Sequence, residues 1–269
     1  MKIDSKAFLT DLFFHRFTGI VLEYDEFLVI KTPTNPTFFW GNLLYFKNPP
    51  TPYSYLLWKE LFNDQFKTMG VEHMTFAWDS ITGDVGSPEL FLNDGFNLET
   101  SIVMVADTIV KPKKINHELQ IKLIDNESDW EKVIENHVLC RAEHFQEIPY
   151  RKYAAKKIAD YRLMIKDQKG FWVGAFLGER LVGDLGIFAQ NGLGRFQTVG
   201  THPDYRRQGI CSTLVYQTCL FAMEQMQVKE FIMVADPFYH AAKIYESVGF
   251  LPKEMQIGLC KFNEELWAT

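Results

Sequence analysis

The chain has 269 residues, 47% apolar and 15% aromatic, enough to fill one large or two ordinary cores. Its net charge of −6 argues against a nucleic-acid binder, which would carry a basic face, and no window approaches the ~18 apolar residues of a membrane span. The four cysteines, Cys140, Cys211, Cys219 and Cys260, lack the paired spacing of a metal site or disulfide frame, and the start "MKIDSKAFLTDLFF" lacks a signal-peptide cleavage site. The expectation is a cytoplasmic protein with reduced thiols and no metal.

The first half opens with a helix, "SKAFLTDLFFHRF". "IVLEYDEFLVIKT" and "TFFWGNLLYF" read as strands, "YSYLLWKELFNDQFKTMG" as a helix and "VEHMTFAWD" as a strand. "SPELFLNDGF" reads as a short helix with Ser87 as N-cap and Pro88 in its first turn, and the strand "LETSIVMVAD" ends the unit. The aromatic run at residues 36–46 reads as packing rather than a ligand site.

"VADTIVKPKKINHELQ", residues 105–120, reads as a linker, with Lys111, Lys113 and Lys114 clustered around Pro112. It sets expected domains of residues 1–113 and 114–269.

The second half reads β-α-α-β-β-β-α-β-α-β. "ELQIKLI" alternates as a strand, and "ESDWEKVIENHVLCRAEHF" and "YRKYAAKKIADYRLMI" have helical spacing. "GFWVGAFLG" and "RLVGDLGIFAQ" are strands of a hairpin turning at Gly178-Glu179-Arg180, and "GRFQTVGTHP" is the next strand. After it, Leu214, Val215, Thr218, Cys219, Ala222 and Met226 mark one helix face. "KEFIMVAD" is a buried strand, "HAAKIYESVGF" a helix closed at Gly249, and "KEMQIGLCKF" the last strand.

The endings "FAWD…SPELFLNDGF" and "MVAD…HAAKIYESVGF" share strand, acid, short helix and Gly-Phe in one order. That pattern indicates an internal repeat at a whole-domain period. The expected fold is therefore α/β, an α+β mixed sheet: two similar units, each a mixed, mostly antiparallel sheet flanked by helices.

Between Pro203 and the following helix lies "DYRRQGICSTL". A strand, a turn with Gly209 and a helix start make the layout of an anion site. The first helix amides point outward without partners, the helix dipole adds positive character, and Arg206 and Arg207 add forked donors. An exposed basic turn at an ordinary helix start fits these residues equally well.

The stretch "TVGTHPDYRRQGICSTL" resembles the acetyl-CoA-binding segment of the GNAT superfamily of N-acetyltransferases. The family signature, Arg/Gln-x-x-Gly-x-Gly/Ala, is met as Arg206-x-x-Gly209-x-Cys211. "AKIYESVGF" resembles the family's second signature, and the likeness runs from about Glu118 to the C-terminus. It implies that the CoA pyrophosphate lies on the amides of Arg207, Gln208, Gly209, Ile210, Cys211 and Ser212. The pantetheine arm would pair with Val199, Gly200 and Thr201, on a strand that splays from its neighbour. Tyr245 matches the tyrosine that protonates the departing thiolate. Cys211 departs from the family's small Gly or Ala, and reads best as a small buried residue.

Tyr245 also fits a core face with Ala241, Ile244 and Val248. Asp184, an acid among apolar residues, is a candidate general base if it is buried, and a surface residue if alternation turns it outward. A water is the alternative base, with Glu143 or Glu147 lining the acceptor entrance. His202 reads as a turn residue and Asp236 as a cap.

The expected function is an acetyl-CoA-dependent N-acetyltransferase that acts directly on an amine, with the second unit active. The alternative is a protein that binds acyl-CoA, or uses the fold for interaction, without turnover. Expected partners are acetyl-CoA and an amine acceptor, with no nucleic acid, membrane or metal; a homodimer is left open. The first half is expected to hold no acetyl-CoA. Pro49, Pro50 and Pro52 remove amides where its phosphate turn belongs, and Phe91 falls where Tyr245 falls.

Overall fold

The computed structural model describes residues 1–143, 145–236 and 241–262. It divides into two compact units, one built on Met1–Val103 and the other on Met104–Met233.

In the first unit, helix α1 (Lys6–Thr18) is capped by Ser5, whose hydroxyl accepts from the N–H of Phe8. The segment expected as one strand is a hairpin, β1 (Ile20–Glu23) and β2 (Phe27–Lys31), because the exposed Tyr24-Asp25-Glu26 turns the chain. The segment expected as a strand from Thr37 is largely not one. The Asn42 amide donates to the carbonyls of Asn35 and Phe38 and accepts from the N–H of Thr32. These bonds wind residues Phe39–Gly41 into a 3₁₀ turn before β3 (Leu43–Phe46) begins.

Helix α2 (Ser54–Phe66), β4 (His73–Trp78), α3 (Glu89–Asn93) and β5 (Asn97–Ala106) follow. Ser87 is not the cap of α3: its N–H donates to the Pro50 carbonyl and α3 starts after Pro88 without a side-chain cap. The core is aromatic, with Trp58 stacked on Phe46 at 3.8 Å and Phe91 among Tyr55, Trp58, Phe76 and Phe96. The residue 36–46 run supplies part of this packing through Leu44 and Phe46.

The second unit contains β6 (Gln120–Leu123), α4 (Glu127–Cys140), α5 (Glu147–Lys166), β7 (Gly170–Leu177), β8 (Arg180–Gln190), β9 (Leu193–Thr201), α6 (Ile210–Met226), β10 (Glu230–Ala235) and α7 (Ala241–Glu246). This is the order expected from the sequence. The strands run β10-β9-β8-β7-β6, antiparallel from β6 to β9 and parallel between β9 and β10. Helix α6 buries Leu214, Val215, Thr218, Cys219 and Ala222, as its pattern indicates.

The last strand, β11 (Leu251–Phe262), joins the first unit. It pairs antiparallel with β4, from Gly258↔Ala77 to Phe262↔His73. The residue 113/114 boundary expected from the sequence falls inside the second unit, and most of the last strand lies outside that unit.

Candidate functional site

Strands β9 and β10 are laddered over only part of their length. Their parallel ladder joins Glu230 to Leu193, Phe231 to Gly194 and Ile232 to Arg195, and goes no further. Residues 196–201 of β9 have no ladder partner on β10. The cause lies on the other edge. Between the pairs Asp184↔Gly200 and Gly186↔Gln197, two residues of β9 oppose Leu185 alone, and Thr198 adopts φ +51°. Such a bulge bends its strand and raises the local twist. Val199, Gly200 and Thr201 lie beyond it, on the part of β9 that has no β10 ladder.

The strand leads into the basic turn. Arg207 and Gly209 both take left-handed conformations, φ +62° and +76°. Among the described residues, the N–H groups of residues 207–212 meet no acceptor. A 17-residue helix stands behind them, so this is a concave patch of free amides at a positive dipole end.

The turn is braced from the linker side. Lys114 Nζ donates to the Arg207 carbonyl at 2.6 Å and the Asn116 amide to that of Gln208 at 3.1 Å. A Cβ on Gly209 would meet the Lys114 carbonyl at 3.0 Å. Glycine is thus required by its φ and by this close linker contact, not by open space above it. Ser212 Oγ donates to the carbonyls of Lys114 and Gly209, so its hydroxyl serves the turn. Arg206 Nε points back to the Thr201 carbonyl at 3.4 Å. Cys211 is half-buried rather than fully buried as expected, and burial pushes its thiol up to about 12.

Asp184 is fully buried, because β8 is covered on both faces. Its carboxylate accepts from Asn136 Nδ2 at 2.7 Å and Trp172 Nε1 at 3.0 Å, with His137 Nε2 at 3.0 Å. Helix α4 is thereby pinned to β7 and β8. The same helix carries Cys140, whose Sγ donates to the Thr201 carbonyl at 3.3 Å. Burial, then the Asp184 charge, pushes that thiol up to about 11. A Cβ on Gly200 would lie 3.2 Å from Asn136 Nδ2, so this glycine lets α4 approach the bulged strand.

Tyr245 is 6% exposed on α7. Its ring lies 6.3 Å from Phe250, which packs at 5.9 Å on Phe196, the first β9 residue past the ladder. The aromatic chain leads from Tyr245 to the point where the β9–β10 ladder ends.

Residues 130–250 match the Acetyltransferase (GNAT) family. This stretch is similar to a GNAT acetyltransferase domain. Solved structures agree on the fold. A functionally unknown conserved protein from Staphylococcus epidermidis ATCC 12228 superposes with TM-score 0.74 at 16% identity, over 92% of this chain and 95% of its own. A GCN5-related N-acetyltransferase from Kribbella flavida gives 0.68 at 12% identity, over 97% and 96%. A tandem GNAT protein from the clavulanic acid biosynthesis pathway gives 0.54 at 10%, over 77% and 69%. No curated protein matches the sequence.

Glu143 is exposed, and Glu147 is bound to Arg151 at 3.0 Å on the α5 surface. His202 shapes the turn after β9: its Nδ1 accepts from Asp204 N–H, and its Nε2 lies 3.2 Å from Arg180, with burial and then Arg180 holding its pKa down. Asp236 is exposed at the end of β10, and the residues between it and α7 lie outside those described.

Asn136, His137 and Trp172 did not stand out in the sequence. An available signal was the placing of Asn136, His137 and Cys140 beside Val133 on the apolar side of α4. The brace from Lys114 and the bulge at Thr198 carry no local signature.

Proposed function

We propose that the second unit transfers an acetyl group from acetyl-CoA directly to an acceptor amine. The observation that carries this reading is the junction of the open β9 edge with the free amides of residues 207–212. Those amides suit the pyrophosphate. The edge at Val199 and Gly200 suits the amide-bearing pantetheine arm, as Cys140 and Arg206 already bond the Thr201 carbonyl. In transfer the amine nitrogen forms a bond to the acetyl carbon, the carbon–sulfur bond breaks, and the amine proton leaves to water, from which the Tyr245 phenolate is reprotonated after the step. Tyr245 acts as the general acid, giving its proton to the departing thiolate.

Asp184 serves this reaction as a positioning residue. Its oxygens are engaged by Asn136, Trp172 and His137, and it is closed to solvent. The reading takes the first domain, residues 1–113 with the returning β11, as a degenerate GNAT-like unit, and the protein as cytoplasmic and metal-free.

The burial of Tyr245 favours one other reading, a CoA-binding protein without turnover. A panel of amines, covering small amines, amino acids, aminoglycosides and peptides, separates them by release of CoA thiol from acetyl-CoA. Amine-dependent release supports transfer. Tight acetyl-CoA binding with no release across the panel supports the second reading.

A further inference from the structure

The segment expected as a linker lies inside the second unit and touches both of that unit's short motifs. Val110 N–H donates to the Val248 carbonyl at 2.9 Å, and a Cβ on Gly249 would meet the Thr108 carbonyl. A few residues on, the same segment reaches the turn before α6.

There it fastens consecutive carbonyls. Lys114 Nζ donates to the Arg207 carbonyl at 2.6 Å and Asn116 Nδ2 to the Gln208 carbonyl at 3.1 Å. The next carbonyl, that of Gly209, accepts from Thr213 Oγ1 at 2.7 Å, and Thr213 Oγ1 in turn accepts from the Asn116 N–H at 2.9 Å. The peptides are trans, and in a planar trans peptide the C=O and N–H point in opposite directions. Drawing the Arg207 and Gln208 carbonyls to the linker therefore aims the N–H groups of Gln208 and Gly209 away from it. Both belong to the patch of free amides. Arg207 also holds φ +62°, a costly conformation for a residue with a Cβ, which persists where its surroundings impose it. The bond from Lys114 to the Arg207 carbonyl is such a constraint.

We infer that Lys114 and Asn116 are positioning residues for the CoA pyrophosphate, an inference that rests on residues 207–212 being its site. They act through the turn, holding its carbonyls back so that its amides face the phosphates. Neither residue lies in the turn itself, and Asn116 does this without a charge.

The test is calorimetric titration of the full chain with acetyl-CoA, beside melting temperatures without ligand. Lys114→Met and Asn116→Ala are each expected to weaken acetyl-CoA about three- to tenfold while the unliganded melting temperature holds. Lys114→Arg keeps a donor and binds as the wild type does. Lys113→Met removes the same charge from the exposed neighbouring position and leaves the affinity unchanged. Weakening in Lys114→Met but not in Asn116→Ala, or equal weakening in Lys113→Met, would reduce the effect to charge and overturn the proposal. Wild-type affinity in Lys114→Met and Asn116→Ala overturns it too, as does a weakening matched by a lower unliganded melting temperature, or a Lys114→Arg no better than Lys114→Met. A wild type that binds no acetyl-CoA overturns the proposed function itself, and this role with it.

Discussion

Phe91 and Tyr245 hold equivalent places in the two units. Each accepts, through its carbonyl, the N–H of a buried phenylalanine five residues on: Phe96 to Phe91 at 3.0 Å, Phe250 to Tyr245 at 3.2 Å. Between them Gly95 and Gly249 take φ +84° and +108°, so the same C-terminal motif closes both short helices. The local backbone is repeated and the hydroxyl is not. Tyr245→Phe is therefore expected to lower kcat by ~10²–10⁴-fold and leave acetyl-CoA affinity nearly unchanged. Steady-state kinetics with an accepted amine, beside calorimetry, checks both; an unchanged kcat assigns Tyr245 to packing.

Among the described residues of the first unit, the parallel ladder does not stop short. Its parallel pair β3 and β4 is joined from Leu44↔Phe76 to Phe46↔Trp78, and Asp79 N–H continues to the Phe46 carbonyl at 2.9 Å. That ladder is closed to the strand ends, where the β9–β10 ladder stops at Arg195.

Asp184→Ala leaves the buried donors of Asn136 and Trp172 without their acceptor. The expected loss is about 3 kcal/mol or more, read from urea unfolding of the second unit. Asp184→Asn, which keeps one accepting oxygen, is expected to lose less. In that variant the acid limb of the kcat/KM–pH profile is expected to persist. Its disappearance at full stability would make Asp184 the base.

His73 predicts acid sensitivity in the first unit. Burial pushes its pKa from the usual 6.5 down to about 4, with Nε2 held 3.2 Å from the Asn42 carbonyl. Between those values the unfolded chain takes up a proton that the folded chain refuses. The His73 contribution is intact above pH 6.5 and falls as pH drops toward 4, by about 3 kcal/mol at most. The stability difference between wild type and His73→Gln, measured against pH, is expected to slope only in that window. A flat difference would contradict the assignment.

The second unit was readable in outline because its elements are long and clearly punctuated, as in the Gly178-Glu179-Arg180 hairpin and the Gly209 turn. The first half was harder. The β1–β2 turn is made by Tyr24, Asp25 and Glu26, with no glycine or proline to mark it. The 3₁₀ turn at residues 39–41 depends on bonds from Asn42 that no local pattern reveals. Where β11 pairs is a tertiary choice, since an alternating strand has no preferred sheet edge. Asp184 was visible as an odd acid on a strand. Its three partners come from β7 and α4 and emerge only when those elements pack.

Gly209→Val is expected to disturb the free-amide patch by two routes. Its φ of +76° strains a β-branched residue, and a Cβ meets the Lys114 carbonyl at 3.0 Å. Acetyl-CoA should raise the melting temperature of the wild type and fail to raise that of the variant. A folded variant that responds fully places the site elsewhere.

The central claim is a single acetyl-CoA site per chain, at the junction of the open β9 edge and the start of α6. Isothermal titration of the full chain with acetyl-CoA tests it most directly. The account predicts one site per chain, lost in Gly209→Val. Two sites per chain, or a site that survives Gly209→Val, would contradict it.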